Sequence, residues 1–289
     1  PPRSTLDRSS AASDVYKRQL LYLIVSLRRE FNMNKQDVTM QLYTTRHFQP
    51  YEPILKFLSN SGIVNIELFG LESMNTDEFK SMMDQSNITS KSTHVGFESL
   101  SDSDNIINRA NTMNIKHIIV PAPPARKDAE FKNTFDMDEE EWMDFGKKLS
   151  SHVSIFEDAG LTLGYHNHSY EFKALPSGKL PIECMMDHNE NLKLEIDLGW
   201  TIAGGADPIP WIQKYSNKII GCHLKDFYDQ NKNLLEHDEQ SAVGEGFIDW
   251  PSLISEVKKT PCEVFVLEHD DPKDYKEYTT KSLEYLETI

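Results

Sequence analysis

From Val38 onward, short apolar runs alternate with longer stretches in which apolar residues recur every three or four positions. The runs Val38–Tyr43, Val64–Phe69, Thr93–Gly96, His117–Val120, Thr162–His166, Lys193–Ile196, Ile219–Leu224 and Val264–Leu267 read as strands. Several are continuous and β-branched rather than alternating, as in strands covered on both faces. Between them, Trp142, Phe145, Leu149, Val153 and Phe156 form one helical stripe, and Gly160 sits where a left-handed cap fits. Pro208 after Asp207 opens a helix carrying Trp211, Ile212 and Tyr215, and Asp249 caps another carrying Leu253, Ile254 and Val257. A last helix spans Tyr275 to Leu286. Strict alternation of eight strands with about eight helices predicts an α/β fold, a closed (β/α)8 TIM barrel in a single domain. A doubly wound open sheet would place a Gly-rich turn after its first strand, and Gln41-Leu42-Tyr43-Thr44-Thr45 contains no glycine.

At 289 residues and 38% hydrophobic, the chain can bury a full core without covalent staples. Its formal net charge of −16 repels phosphate backbones and anionic lipid, so neither nucleic acid nor membrane is expected as a partner. Cys184, Cys222 and Cys262 show no paired spacing and read as reduced thiols. Residues 1–32 are set apart as a leader that is non-native or disordered, leaving 33–289 as the barrel. Within the leader, Asp14-Val15-Tyr16-Lys17-Arg18-Gln19 looks like a translated sequencing adapter, so 1–19 is excluded as an artefact. The apolar run Leu20–Leu27 is too short to span a bilayer. A cytoplasmic location is expected, with the periplasm left open because the true start residue is unsettled.

Polar residues at the C-terminal ends of barrel strands are where such folds put their chemistry. Strand five ends in His166-Asn167-His168-Ser169-Tyr170-Glu171, strand six in Asp197, strand seven in His223-Leu224-Lys225-Asp226 and strand eight in Glu268-His269. His166 and His168 are two apart, so on an extended chain they face the same way. Taken singly, each is equally well a cap, a packed histidine or half of an ion pair. Together they put carboxylates and imidazole on four consecutive strand ends, where like charges repel unless a cation neutralises them. Oxygen-rich donors with one imidazole suit Mn, Mg, Co or Zn as a divalent ion, and the absence of thiolates argues against a closed structural zinc.

At these segments the chain resembles the sugar phosphate isomerase/epimerase family, the xylose-isomerase-like barrel superfamily. The resemblance is carried by Gly164-Tyr165-His166-Asn167-His168-Ser169-Tyr170-Glu171-Phe172, by Glu195-Ile196-Asp197-Leu198-Gly199-Trp200 through Pro208, by His223-Leu224-Lys225-Asp226, and by Val243-Gly244-Glu245-Gly246-Phe247-Ile248-Asp249-Trp250. It extends from Val38 to the end of the chain. It implies Glu171, Asp197, His223 and Glu268 as ligands of a divalent metal. In ketose epimerases of this superfamily the first carboxylate lies on strand five itself. Here the position falls either to Glu171 reaching back or to His166 or His168, and Glu171 is the expected ligand. The resemblance also implies His166, His168 and Lys225 as substrate contacts or proton carriers, beside Glu171 and Glu268. Trp200, Glu245 and Arg46 are expected to bind substrate, although Trp200 serves packing equally well.

The expected function is a metal-dependent sugar isomerase or epimerase that removes a proton next to a metal-bound carbonyl. A lyase or hydrolase on a keto-sugar or keto-glycoside shares the first step and is the alternative. An endonuclease-IV-like repair enzyme is disfavoured by the charge, a non-catalytic sugar-binding barrel by the full ligand set, and a nicotinamide dehydrogenase by the missing Gly-rich fingerprint. The expected partner is a small-molecule carbohydrate, with a homo-oligomer left open. Few cations are available for a phosphate (Arg46, Lys225 and Arg126), which favours an unphosphorylated substrate.

Overall fold

A computed structural model describes residues 33–124, 137–187 and 190–289. The leader, Arg126 and the Leu20–Leu27 run therefore lie outside the described residues.

The barrel strands are β1 (Val38–Gln41), β2 (Asn65–Phe69), β3 (Thr89–His94), β4 (His117–Val120), β5 (Thr162–His166), β6 (Lys193–Asp197), β7 (Ile219–Leu224) and β8 (Val264–Leu267). They close in the order β1-β8-β7-β6-β5-β4-β3-β2, every pair parallel. The eight-stranded barrel expected from the alternation is present. Its helices are α1 (Tyr51–Asn60), α2 (Thr76–Gln85), α3 (Ser103–Met113), α4 (Glu139–Ser150), α5 (Val153–Asp158), α6 (Pro181–Met186), α7 (Leu198–Ala203), α8 (Pro208–Lys214), α9 (Trp250–Val257) and α10 (Tyr275–Leu286). Among the described residues no helix is long and apolar enough to cross a membrane.

Local signals explain most boundaries. Asp138 and Glu141 form a reciprocal capping box at α4, Asp207 accepts from the Ile209 amide, and Asp249 accepts from the Ser252 amide. Two expectations change. The single stripe from Trp142 to Phe156 is divided into α4 and α5 by a turn at Ser151–His152. Strand β3 begins at Thr89 rather than Thr93, because its inward positions Ser90 and Ser92 are small and polar while Thr89 and Lys91 are exposed. The alternation is there, but serine hides it from a hydrophobic pattern.

Candidate functional site

The His166-Asn167-His168 run divides by strand geometry. Asn167 points away from its two neighbours and ties β5 to β6: its Oδ1 accepts from the Asp197 amide at 3.0 Å and its Nδ2 donates to the Asp197 carbonyl at 3.1 Å. His166 is buried, and burial next to His223 and His94 drives its basicity well down. Its Nδ1 lies 3.2 Å from Glu195 Oε2 yet has no hydrogen-bond partner. His168 lines the cavity at the barrel mouth, stacks on Tyr170, and is lowered by burial to about 4.

Asp197 ends β6 and caps α7, its Oδ1 accepting from the Trp200 amide at 2.7 Å. Its Oδ2 is buried with no hydrogen-bond partner, and burial raises the group to about 7. On β7, His223 Nδ1 lies 3.0 Å from Glu268 Oε2 at the end of β8. Burial works against ionisation of Glu268, but Lys225 and His223 hold it well below the usual carboxylate range. One donor atom each from His166, Asp197, His223 and Glu268 lies within 4.8 Å of the others. Donors bonded to one zinc-like ion at about 2.0–2.2 Å are roughly 3.3 Å apart in a tetrahedron. The orphaned Oδ2 of Asp197 is a group that a cation would satisfy.

Glu171 is elsewhere. Its carboxylate accepts from Tyr165 Oη at 2.5 Å and from the His168 amide at 2.8 Å, and burial raises it to about 8. The structure thus brings His166, rather than Glu171, to Asp197, His223 and Glu268. The reason is the turn at Tyr170–Phe172, which packs the glutamate behind the tyrosine of its own strand.

The other expected residues separate. Trp200 lines the cavity of about 520 Å³, together with Tyr43, Phe69, Tyr170 and Asp270. Lys225 does not line it. It is fully buried, 3.2 Å from Glu268 and 2.9 Å from Asp270, with its ammonium 4.7 Å from the Trp200 ring centre. Arg46 is also absent from the lining and lies over the Tyr43 ring while donating to the carbonyls of Tyr43 and Asp270. Glu245 pairs with Lys281 at 3.0 Å and is absent from the cavity lining. Its Gly-Glu-Gly segment wraps Asp226, which accepts from the Gly244 amide and from Trp250 Nε1. A side chain on Gly246 would collide with Asp226, so these glycines serve close packing.

Three charged groups were not anticipated. Glu67 on β2, His94 on β3 and Glu195 on β6 lie around the inner edge of His223. Burial works against the charge of His94, but Glu67 and Glu195 raise it to about 10. Glu195 was detectable, being two residues before Asp197 and so on the same face of the strand. Glu67 and His94 carry no motif.

The sequence model of the xylose isomerase-like TIM barrel family matches residues 50–289. The chain belongs to this family. An inosose dehydratase from Clostridium perfringens is 25% identical over 173 residues, 54% of this chain and 57% of that protein. The chain thus spans a little over half the length of this curated relative. Among solved structures, a sugar phosphate isomerase/epimerase from Parabacteroides distasonis superposes with a TM-score of 0.71 at 20% identity, covering 89% of this chain and 95% of its own. The IolI protein with a bound zinc atom gives a TM-score of 0.66 at 16% identity, covering 87% and 95%. At those identities the structures support the fold.

Proposed function

We propose that this family member is a metal-dependent enzyme that removes the proton next to the carbonyl of a polyhydroxylated ketone. The observation that carries this reading is the convergence of His166, Asp197, His223 and Glu268 beneath the cavity, with one buried Asp197 oxygen left without a partner. Two imidazoles and two carboxylates favour Zn, Co or Mn over Mg, which prefers oxygen and water.

A divalent cation held by these four residues would supply Lewis-acid polarisation of the substrate carbonyl. His168, neutral and in the cavity wall, is the base for the adjacent C–H, with Tyr170 Oη 3.3 Å from its Nδ1. Glu268 also lines the cavity and stays anionic beside Lys225. Lys225 acts from behind, balancing Glu268 and Asp270 rather than touching substrate. Trp200 and Tyr43 offer apolar faces to a ring.

Loss of water is the first outcome, because the curated relative that shares half its length with this chain is a dehydratase. Isomerisation or epimerisation is the second reading, favoured by His168 in the cavity wall with Tyr170 Oη beside it to carry the proton back. The test is deuterium incorporation from D2O into a panel of keto-sugars and ketopolyols, with enone absorbance followed in parallel. An enone, with or without exchange, establishes elimination, and exchange without one establishes the second reading. Absence of both exchange and enone across the panel with cobalt-, zinc- and manganese-loaded protein, or undiminished turnover after metal stripping, overturns both.

A further inference from the structure

The chemistry at the mouth leaves Glu67, His94 and Glu195 without a task, although each is buried in the barrel interior. Burying two carboxylates side by side is costly unless they are paired. The fold nevertheless makes room for them. Gly221 on β7 faces Glu195, and a Cβ there would lie 2.9 Å from its Oε1. Gln41 Nε2 donates to Glu67 Oε1 at 2.8 Å and orients it. His94 Nε2 bridges the two acids, 2.7 Å from Glu195 and 3.3 Å from Glu67.

These contacts converge on one edge of His223. Its Nε2 lies 2.8 Å from Glu67 Oε1 and 3.1 Å from Glu195 Oε2, whereas its Nδ1 lies 3.0 Å from Glu268 Oε2. We propose that Glu67 and Glu195, bridged by His94, are positioning residues that hold the Nε2 edge of His223 so that its Nδ1 edge is presented to a divalent cation. When a cation displaces the Nδ1 proton that faces Glu268, an Nε2–H committed to carboxylates fixes the tautomer whose Nδ1 lone pair binds it, and it makes that nitrogen a stronger donor. The proposal rests on the metal-dependent reading of the site.

Cobalt(II) titration of the full chain, followed by visible absorption, tests it. Wild type is expected to bind one equivalent. Glu67→Gln and Glu195→Gln should each bind one equivalent about 10- to 100-fold more weakly, the range for outer partners of a metal-binding histidine. Affinity within twofold of wild type in both variants overturns the positioning role and leaves the functional reading intact. A wild type that takes up no cobalt overturns the functional reading as well. Should a variant fail to fold, zinc titration of wild type with ¹⁵N-labelled histidine decides: the His223 Nδ1 resonance should shift while Nε2 keeps its proton. A shift at Nε2 overturns the proposal, because the His94, His166, Glu195 and His223 donors, also within 4.8 Å of one another, would then hold the ion themselves.

Discussion

The turn after β5 and the end of β8 each bury a glutamate, and the two glutamates have opposite fates. Glu171 is surrounded by neutral donors, the Tyr165 hydroxyl and the His168 amide, and burial raises it to about 8. Glu268 feels the same burial, but Lys225 at 3.2 Å and His223 at 3.0 Å hold it ionised. Hydrogen bonds from uncharged groups only partly offset desolvation, whereas buried cations reverse it. The carboxylate that neighbours cations is the one that stays anionic at neutral pH, and it is also the one in the cavity wall.

The strongest way to break this contrast is to neutralise each member. Glu268→Gln is expected to lose more than ~100-fold in cobalt affinity, beyond what an outer partner costs, with turnover falling together with it. Asp197→Asn should behave alike. Glu171→Gln should keep cobalt affinity within about threefold and lose stability instead, since a buried carboxyl that makes two hydrogen bonds is replaced by an amide. Should Glu171→Gln release cobalt as readily as Glu268→Gln, the assignment by environment fails. His166→Gln sharpens the same point: it should weaken cobalt binding by at least about 10-fold, because it removes a donor that Glu171 does not replace.

The difference between the two glutamates also marks what the chain discloses before folding. Most strands were readable because buried parallel strands write apolar runs, β3 only at its C-terminal end, and Asp197, His223 and Glu268 stood out because each lies at or beside the end of such a run. Glu171 lies five residues past His166, and spacing alone does not say whether a turn returns it to the mouth or folds it behind Tyr165. The 3-10 turn at Tyr170–Phe172 decides that, through packing that involves Tyr165 of β5 itself. Glu67 and His94 were hidden for another reason. They sit singly on β2 and β3, and only closure of the barrel places β2 and β3 across from β6 and β7.

A smaller effect is expected from pH. Glu171 binds its proton up to about 8 in the folded chain, against an ordinary carboxylate value of 4.5. Between these two values the unfolded state has released the proton and the folded state has kept it, so this group makes stability fall as pH rises through the window. The loss is full above about 8, and the contribution is intact below 4.5. Unfolding free energies of wild type and Glu171→Gln from urea titrations at pH 4.5 to 8 should converge as pH rises, by a few kcal/mol in all at about 1.4 kcal/mol per unit. Parallel curves would mean that Glu171 is already ionised at neutral pH and belongs with Glu268.

The smallest change is Tyr165→Phe, which removes one neutral hydroxyl that bonds both Glu171 and Tyr170. Tyr165 is fully buried and its hydroxyl bonds Glu171, so the cost in stability should be about 1–2 kcal/mol. That hydroxyl is one of the groups lowering Glu171 against burial. Its loss should push the carboxyl further up and extend the pH window above its wild-type end. Cobalt affinity should not move, because neither oxygen of Glu171 is among the converging donors. A Tyr165→Phe protein with unchanged urea midpoints but weakened cobalt binding would show the reverse coupling. Glu171 would then steady the metal edge through the His168 amide, and the two glutamates would differ in distance from the ion rather than in kind.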